Sequence, residues 1–347
     1  MITLGIETSC DETAASIYDG THILSNIVLS QIEHHKQFGG VLPELAARRH
    51  LDHLLEVIDR ALKQAGLSKK EIELIAVASS PGLIGALLMG VNCAKGLSVS
   101  LNVPVIAVNH VEAHLFANFI DISNNIPFPA LGLIVSGGHT ALLLMKDINE
   151  SYILGNTVDD AIGECFDKVA RMLDLPYPGG PEIEKLARYG DPKSFSFTPP
   201  RVKNAPYNFS FSGLKTKVLY TLYGEGGKLD SPIIPQSSYK DIAASFQYAA
   251  FTSLVQICKK AIGEFNVKSL LVGGGVSCSN TLKEMFEQQI HPHTPVFFPK
   301  KELTLDNAAM IAALGFHRFK IKGPSPLDFS ASPSSKKTPF DFCKNFS

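Results

Sequence analysis

A repeat constrains the fold more than any other feature of the chain. The decapeptide LGLIVSGGHT at 131–140 aligns without gaps on LGIETSCDET at 4–13, matching at Leu, Gly, Ser and Thr. The elements after each copy keep the same order. In the first half, short β-rich runs at 2–7, 14–18 and 22–30 are separated by turns too brief for a crossover, which predicts an antiparallel meander. Leu45, Leu51, Leu54, Leu55, Ile58 and Leu62 then recur at helical spacing over 43–64, and Gly66 ends that helix. A strand at 74–79, a helix at 83–101, a strand at 103–108 and a helix from His110 complete the unit. The second half is predicted to run through strands at 130–135, 141–145 and 152–158, a helix at 161–173, a long helix at 239–264, a strand at 269–272, a strand at 295–298 and a last helix over 306–319. The extra material between its third and fourth strands, which includes a loop at 177–181, is rich in Pro and Ser.

Where the 103–108 strand meets its helix the sequence reads NHVEAH, Asn109 to His114. Asn109 suits the N-cap. Residues four apart share a helix face, so His110 and His114 present two imidazoles to one point, a metal-chelating geometry. Two surface histidines with no common ligand would show the same spacing. Glu112 lies roughly 200° round the helix from His110 and faces away from that point, which separates the motif from the HExxH of metalloproteases. Around Ser136 there is no GxSxG elbow, which argues against a serine hydrolase.

Composition narrows the field further. Hydrophobic residues make up 45% of the 347 and charged residues 19%, with a formal net charge of −1. That excludes a strongly basic nucleic-acid binder, so any RNA contact must come from local patches. The six cysteines are scattered without a CxxC, which suits reduced thiols better than a disulfide scaffold. The chain starts on a strand, with no secretory leader expected, and its most apolar run, 81–94, is glycine-rich and ended by Lys95, which reads as a buried helix.

Two units of this order, face to face, form an interdomain cleft with the first-strand turn of each at its floor. This is the α/β plan of the actin, Hsc70 and sugar-kinase superfamily (ASKHA). In that plan the two turns hold phosphates and a late Gly-rich loop, here 273–280, holds adenosine. Small residues let backbone N–H groups approach an anion, and a helix N-terminus favours negative charge. The expected domains are 1–120 completed by 305–322, then 127–304 with an insertion around 159–240, then a poorly ordered tail over 323–347.

The motifs GIETSCDET at 5–13, HVEAH at 110–114, VSGGHT at 135–140, FSFSGLKT at 209–216 and TLDNAAM at 304–310, all in order, closely resemble one family. It is that of the bacterial tRNA N6-adenosine threonylcarbamoyltransferases, the TsaD family, formerly labelled O-sialoglycoprotein endopeptidases. The resemblance runs from residue 1 to about 322. It implies transfer of a threonylcarbamoyl group from threonylcarbamoyl-AMP to N6 of adenosine 37 in tRNAs decoding ANN codons, forming t6A and releasing AMP. It also implies one divalent metal, iron ahead of zinc, held by His110, His114 and Asp306, and an adenine nucleotide, threonylcarbamoyl-AMP or ATP. By itself Asp306 would be read as the N-cap of the last helix. Ile134, Val135, Ser136, Gly137 and Gly138 would cradle the acyl-adenylate, with Asp167 and Gly180 near its ribose and Asn280 near its adenine; Asp167 would otherwise pair with Arg171 along its own helix. No side chain is required as nucleophile. Glu184 stands where many relatives carry Asp and is left out of the site.

The partners implied are a tRNA anticodon loop and proteins of the TsaB and TsaE kinds, in the cytoplasm and away from membranes, with the 43–64 helix as a dimer surface. Candidate RNA-facing cations are Lys36 with Arg48 and Arg49, Lys215 with Lys217, and Arg318, Lys320, Lys322, Lys336, Lys337 and Lys344. An ASKHA small-molecule kinase would share the fold without needing paired histidines, a nucleotide switch would tolerate their loss, and a metalloprotease is the older family label.

Overall fold

The computed structural model describes residues 1–36, 38, 40–120, 126–226, 232–333 and 344–345. The chain divides into two compact units, Met1–Asn125 with Pro299–Phe342, and Ile126–Phe298 with Cys343–Ser347. The return to the first unit therefore comes at Pro299, ahead of the 305 expected.

In the first unit β1 (Thr3–Glu7), β2 (Glu12–Tyr18) and β3 (Ile23–Ser30) form the meander, α1 (Ile32–Lys36) is one short turn, and α2 (Pro43–Ala65) is the long helix closed by Gly66 in the left-handed conformation. Then come β4 (Leu74–Ser80), α3 (Ile84–Leu101), β5 (Val105–Asn109) and α4 (His110–Phe116). The sheet order is β3-β2-β1-β4-β5, with β4 parallel to β1 and β5 parallel to β4. Every residue of β1 is buried because both sheet faces are covered. Leu4 and Ile6 join Leu54, Val57, Ile58 and Val91 in one apolar cluster with α2 and α3. Gly5, between them, faces the other way, and a Cβ there would lie 2.3 Å from the Ala308 carbonyl oxygen. The absence of a side chain at residue 5 is what lets the last helix lie directly on the strand. Helix α3 has the length and composition of a membrane span, yet its Leu87, Val91 and Ala94 are buried inside this unit.

The second unit repeats the plan with β6 (Ala130–Val135), β7 (Thr140–Met145) and β8 (Ser151–Asn156), then α5 (Ile162–Met172), α6 (Gly179–Ala187), α7 (Ser212–Tyr223), α8 (Tyr239–Phe265), β9 (Ser269–Gly273), α9 (Asn280–Gln289) and β10 (Val296–Phe297). Helix α10 (Ala308–Lys322) follows in the first unit, and β11 (Lys344–Asn345) pairs with β8 in the second. The hairpin register bears out the repeat. Glu7 faces Ala14 across β1 and β2, and Ile134 faces Ala141 across β6 and β7, the same offset that the sequence alignment gives. Leu131, Leu133 and Val135 alternate into a core with Phe166, Phe246 and Phe251, whose rings are 4.8 and 5.4 Å from that of Phe166.

Two expectations need correction. Helices α6 and α7 lie in stretches read as loop and as Pro/Ser-rich insertion. Residues 323–333, expected to begin a poorly ordered tail, are laid along the first unit. β5 is an edge strand with backbone groups to satisfy. The Ser325 N–H donates to the Val105 carbonyl at 2.9 Å, the Ala107 N–H donates to Ser325 Oγ at 3.0 Å, and Phe329 packs on the apolar cluster beneath the Lys95 ammonium. The remainder of that tail, apart from β11, lies outside the described residues.

Candidate metal centre and anion-binding turn

Helix α4 begins as its sequence dictates. Asn109 Oδ1 accepts from the N–H groups of Val111 and Glu112 at 2.9 and 3.1 Å, which starts the helix at His110 and puts His110 and His114 one turn apart. Their rings stand 4.8 Å apart at 78°. Asp306 is not the N-cap of α10. Asn307 takes that role, its Oδ1 accepting from the Met310 N–H at 3.1 Å. Asp306 is thereby left free to turn to the histidines, and its Oδ1 lies 3.5 Å from His110 Nε2 and 3.3 Å from His114 Nε2. One ligand atom from each of the three falls within 4.8 Å of the others.

Behind this group, His110 Nδ1 meets Glu7 Oε2 at 2.8 Å and Ser9 Oγ at 3.1 Å. Burial alone would lower the His110 pKa, but Glu7 and Asp306 together carry it well above the ordinary imidazole range. Burial opposes ionisation of Asp306 as well, and the two histidines still hold it far below the usual carboxylate range. Burial, then Asp306 and Asp11, pushes the Glu12 carboxyl up. Negative charge on Asp306 and Asp11 thus disfavours ionisation of Glu12, while Asp306 itself stands against both imidazole Nε2 atoms. The residues fit a divalent cation, since nitrogen and carboxylate donors converge where such charge is unfavourable without one.

Glu112 points elsewhere, as its spacing requires. It is buried and ion-paired with Arg318, which ties α4, the helix carrying both histidines, to α10, the helix that follows Asp306. Its carboxyl pKa is raised, because burial outweighs the guanidinium. Arg318 is consequently engaged inside the protein and is not a free RNA-facing cation. Lys215 is likewise engaged, with Asp160 Oδ2 at 2.6 Å, and Arg48 meets Glu44 at 2.6 Å. The Lys36 and Lys344 side chains, with all of Lys336 and Lys337, lie outside the described residues.

In the second unit, Ile134 and Val135 are fully buried core residues at the end of β6, so their side chains cannot face a ligand. The turn beyond them closes by Ser136 N–H to the His139 carbonyl at 2.9 Å and His139 N–H to Ser136 Oγ at 3.0 Å. A Cβ added at Gly137 or Gly138 would meet nothing within 4 Å, so the space over these two residues is open. Two further glycines seat the turn. A Cβ at Gly163, in the first turn of α5, would lie 2.7 Å from the Ser136 carbonyl oxygen. One at Gly274, where φ is +95°, would lie 2.5 Å from the Val135 carbonyl oxygen. The start of α5 and the Gly-rich loop after β9 are therefore both pressed against this turn. Gly274 was within the loop singled out from sequence; Gly163, in IGE, gave no signal.

Asp167 reaches out of its own helix to the next one. Its Oδ1 accepts from the Gly179 N–H at 2.7 Å, at the start of α6, and Gly180 is a second backbone donor; burial nevertheless raises its pKa. Asp167 and Gly180 are thus neighbours. Asn280 is exposed at the first position of α9, with Ser279 as its N-cap. Glu184, left out of the site, reaches that same helix start, where Oε1 accepts from the Thr281 N–H at 3.1 Å and from Ser279 Oγ at 3.2 Å. The motif FSFSGLKT is organised by two residues that sequence reasoning passed over. Asp159 accepts from Ser210 Oγ, Ser212 Oγ and the Phe211 N–H at 2.5, 2.7 and 2.7 Å, and Asp160 holds both Lys168 and Lys215.

The sequence profile of the TsaD family, described as tRNA N6-adenosine threonylcarbamoyltransferase, matches residues 22–313. The chain belongs to this family. Among TsaD relatives of the same description, that of Protochlamydia amoebophila is 51% identical over 94% of this chain and 95% of its own, and that of Thermosipho africanus is 48% identical over 97% and 100%. The fold is that of the ASKHA superfamily. The T. kodakarensis HypF structure superposes with a TM-score of 0.62 at 14% identity over 92% of this chain, which spans 47% of the HypF chain. Component A of the Acidaminococcus fermentans (R)-2-hydroxyglutaryl-CoA dehydratase superposes with a TM-score of 0.53 at 13% identity, over 92% of this chain and 98% of its own.

Proposed function

We propose that the protein transfers the threonylcarbamoyl group of threonylcarbamoyl-AMP to N6 of adenosine 37 in tRNAs decoding ANN codons. Family membership over most of the chain carries this reading, and the convergence of His110, His114 and Asp306 supports its chemistry. In the transfer the adenosine amine forms a bond to the carbamoyl carbon and gives up a proton, while the bond from that carbon to the phosphate oxygen breaks and AMP leaves with the electron pair. An aromatic amine is a poor nucleophile, so the rate rests on activating the acyl phosphate and aligning the reactants.

The site residues divide between these tasks. Ser136, Gly137 and Gly138 present backbone to the phosphate, Asp167 and Gly180 lie toward the ribose, and Asn280 lies toward the adenine. Ile134 and Val135 contribute the strand end that carries the turn. His110, His114 and Asp306 would hold a divalent metal, iron ahead of zinc, which would supply Lewis-acid chemistry to the transfer. Recognition is of a tRNA loop, where an unpaired base can be splayed out, and Arg48, Arg49, Lys217, Lys320 and Lys322 remain candidates for its phosphates. We place the reaction in the cytoplasm with TsaB-like and TsaE-like partner proteins. Leu51 and Leu55 on α2, 69% and 66% exposed, offer an apolar surface for a partner or a second copy.

The test is nucleoside mass spectrometry of unmodified tRNA incubated with the protein, synthetic threonylcarbamoyl-AMP and those partners. t6A at position 37 is expected. ATP-dependent phosphorylation of a small alcohol, with no t6A formed, would replace this reading with a kinase.

A further inference from the structure

The repeat exposes an anomaly at residue 7. The register equates Glu7 with Ile134, so one copy of the fold carries a carboxylate at a strand position where the other carries an apolar side chain. Both are completely buried. Nothing in the β-strand plan calls for a charge there, and burying one is expensive unless it is paired. Both Glu7 oxygens are used: Oε1 accepts from the Ser9 N–H at 2.5 Å, and Oε2 lies 2.8 Å from His110 Nδ1. Ser9 Oγ stands on the same imidazole nitrogen at 3.1 Å.

We infer that Glu7, braced by Ser9, is the positioning residue of the metal centre. The carboxylate keeps the proton of His110 on Nδ1, fixes the ring plane, and leaves the Nε2 lone pair aimed at the point shared with His114 and Asp306. An imidazole held in this way is also a stronger donor, since the carboxylate adds electron density to the ring. His114 has no such support, its Nδ1 being buried without a hydrogen-bond partner among the described residues, so the orientation of the pair depends on His110. The inference rests on the metal-holding reading of His110, His114 and Asp306.

Titration of the metal-free full-length protein with Co(II), followed by its visible absorption, tests it without recourse to activity. Glu7→Gln keeps the shape and removes the charge. It is expected to bind Co(II) about 10–100-fold more weakly than wild type, with altered absorption bands, while the metal-free protein melts cooperatively. A carboxylate with a merely structural role would change the melting of the metal-free protein and leave the Co(II) bands alone. Should Glu7→Gln not fold, Ser9→Ala carries the test, with a few-fold loss of affinity expected. Affinity and bands unchanged in the folded variant would overturn the assignment of Glu7. Wild-type protein that binds no Co(II), or binds it as well after His114→Ala, would instead remove the metal reading and this inference with it.

Discussion

At the scale of residues, the period of the α-helix made the histidine pair legible and also showed where Glu112 could not point. It could not show what Glu112 does point at. Its partner Arg318 lies 206 residues further on, and no local pattern links the two. Asp306 was legible only through resemblance, because an acid before a helix ordinarily caps it, and Asn307 doing so instead is a matter of backbone geometry. The Glu112–Arg318 pair is nearly inaccessible, with side chains 8% and 13% exposed. Removing one member strands the other charge in the interior. Glu112→Ala should therefore cost about 3–5 kcal/mol of stability, read by urea denaturation, whereas Glu112→Gln, which can still accept from the guanidinium, should cost less. Equal stability of Glu112→Ala and wild type would show that the pair does not hold α4 to α10.

Among the elements, strands and long amphipathic helices could be placed from periodicity, while α6 and α7 could not. α6 starts at a Gly-Gly-Pro sequence, and α7 comes after a run dense in Pro and Ser, so both carry the local signature of loops. Tertiary partners make them helices, Asp167 at the start of α6 and Asp159 at the start of α7. Asp159 and Asp160 both have lowered pKa values, since hydrogen bonds from Ser210 and Phe211, and from Lys168 and Lys215, more than offset burial. A carboxyl depressed by folding stabilises the fold above its unfolded pKa, and that contribution is lost as pH falls through the folded value. Asp159→Ala should thus destabilise the protein by about 1–2 kcal/mol at neutral pH, and its stability should fall less steeply than wild type below about pH 4. Parallel melting curves against pH for the two proteins would contradict this. The glycines around the turn after β6 give a sharper contrast. Gly137→Val adds a side chain to open space, so the protein should melt as wild type yet lose adenine nucleotide binding by calorimetry. Gly163→Val drives its side chain into the Ser136 carbonyl and should cost about 1–3 kcal/mol of stability. If Gly137→Val binds nucleotide as tightly as wild type, the phosphate turn is misassigned.

For the whole molecule, the duplicated plan was readable because each copy buries both faces of its sheet, so strand and helix order survives as alternation of apolar runs even where side chains differ. Harder to read was where the copies diverge, at Glu7 against Ile134, at the inserted α6 and α7, and at 323–333, whose Ser and Pro disguised a segment satisfying an edge strand. The first of these departures lies against the candidate metal ligand His110, which is where a fold shared with unrelated activities would be specialised. Metal-assisted transfer without a side-chain nucleophile is the central claim. It is tested most directly by the t6A yield of His114→Ala supplied with ready-made threonylcarbamoyl-AMP, unmodified tRNA and partner proteins, with folding checked by circular dichroism. The expected result is a folded protein that forms no t6A and retains little metal, while Glu112→Gln stays active. A folded His114→Ala protein making t6A at the wild-type rate would contradict it.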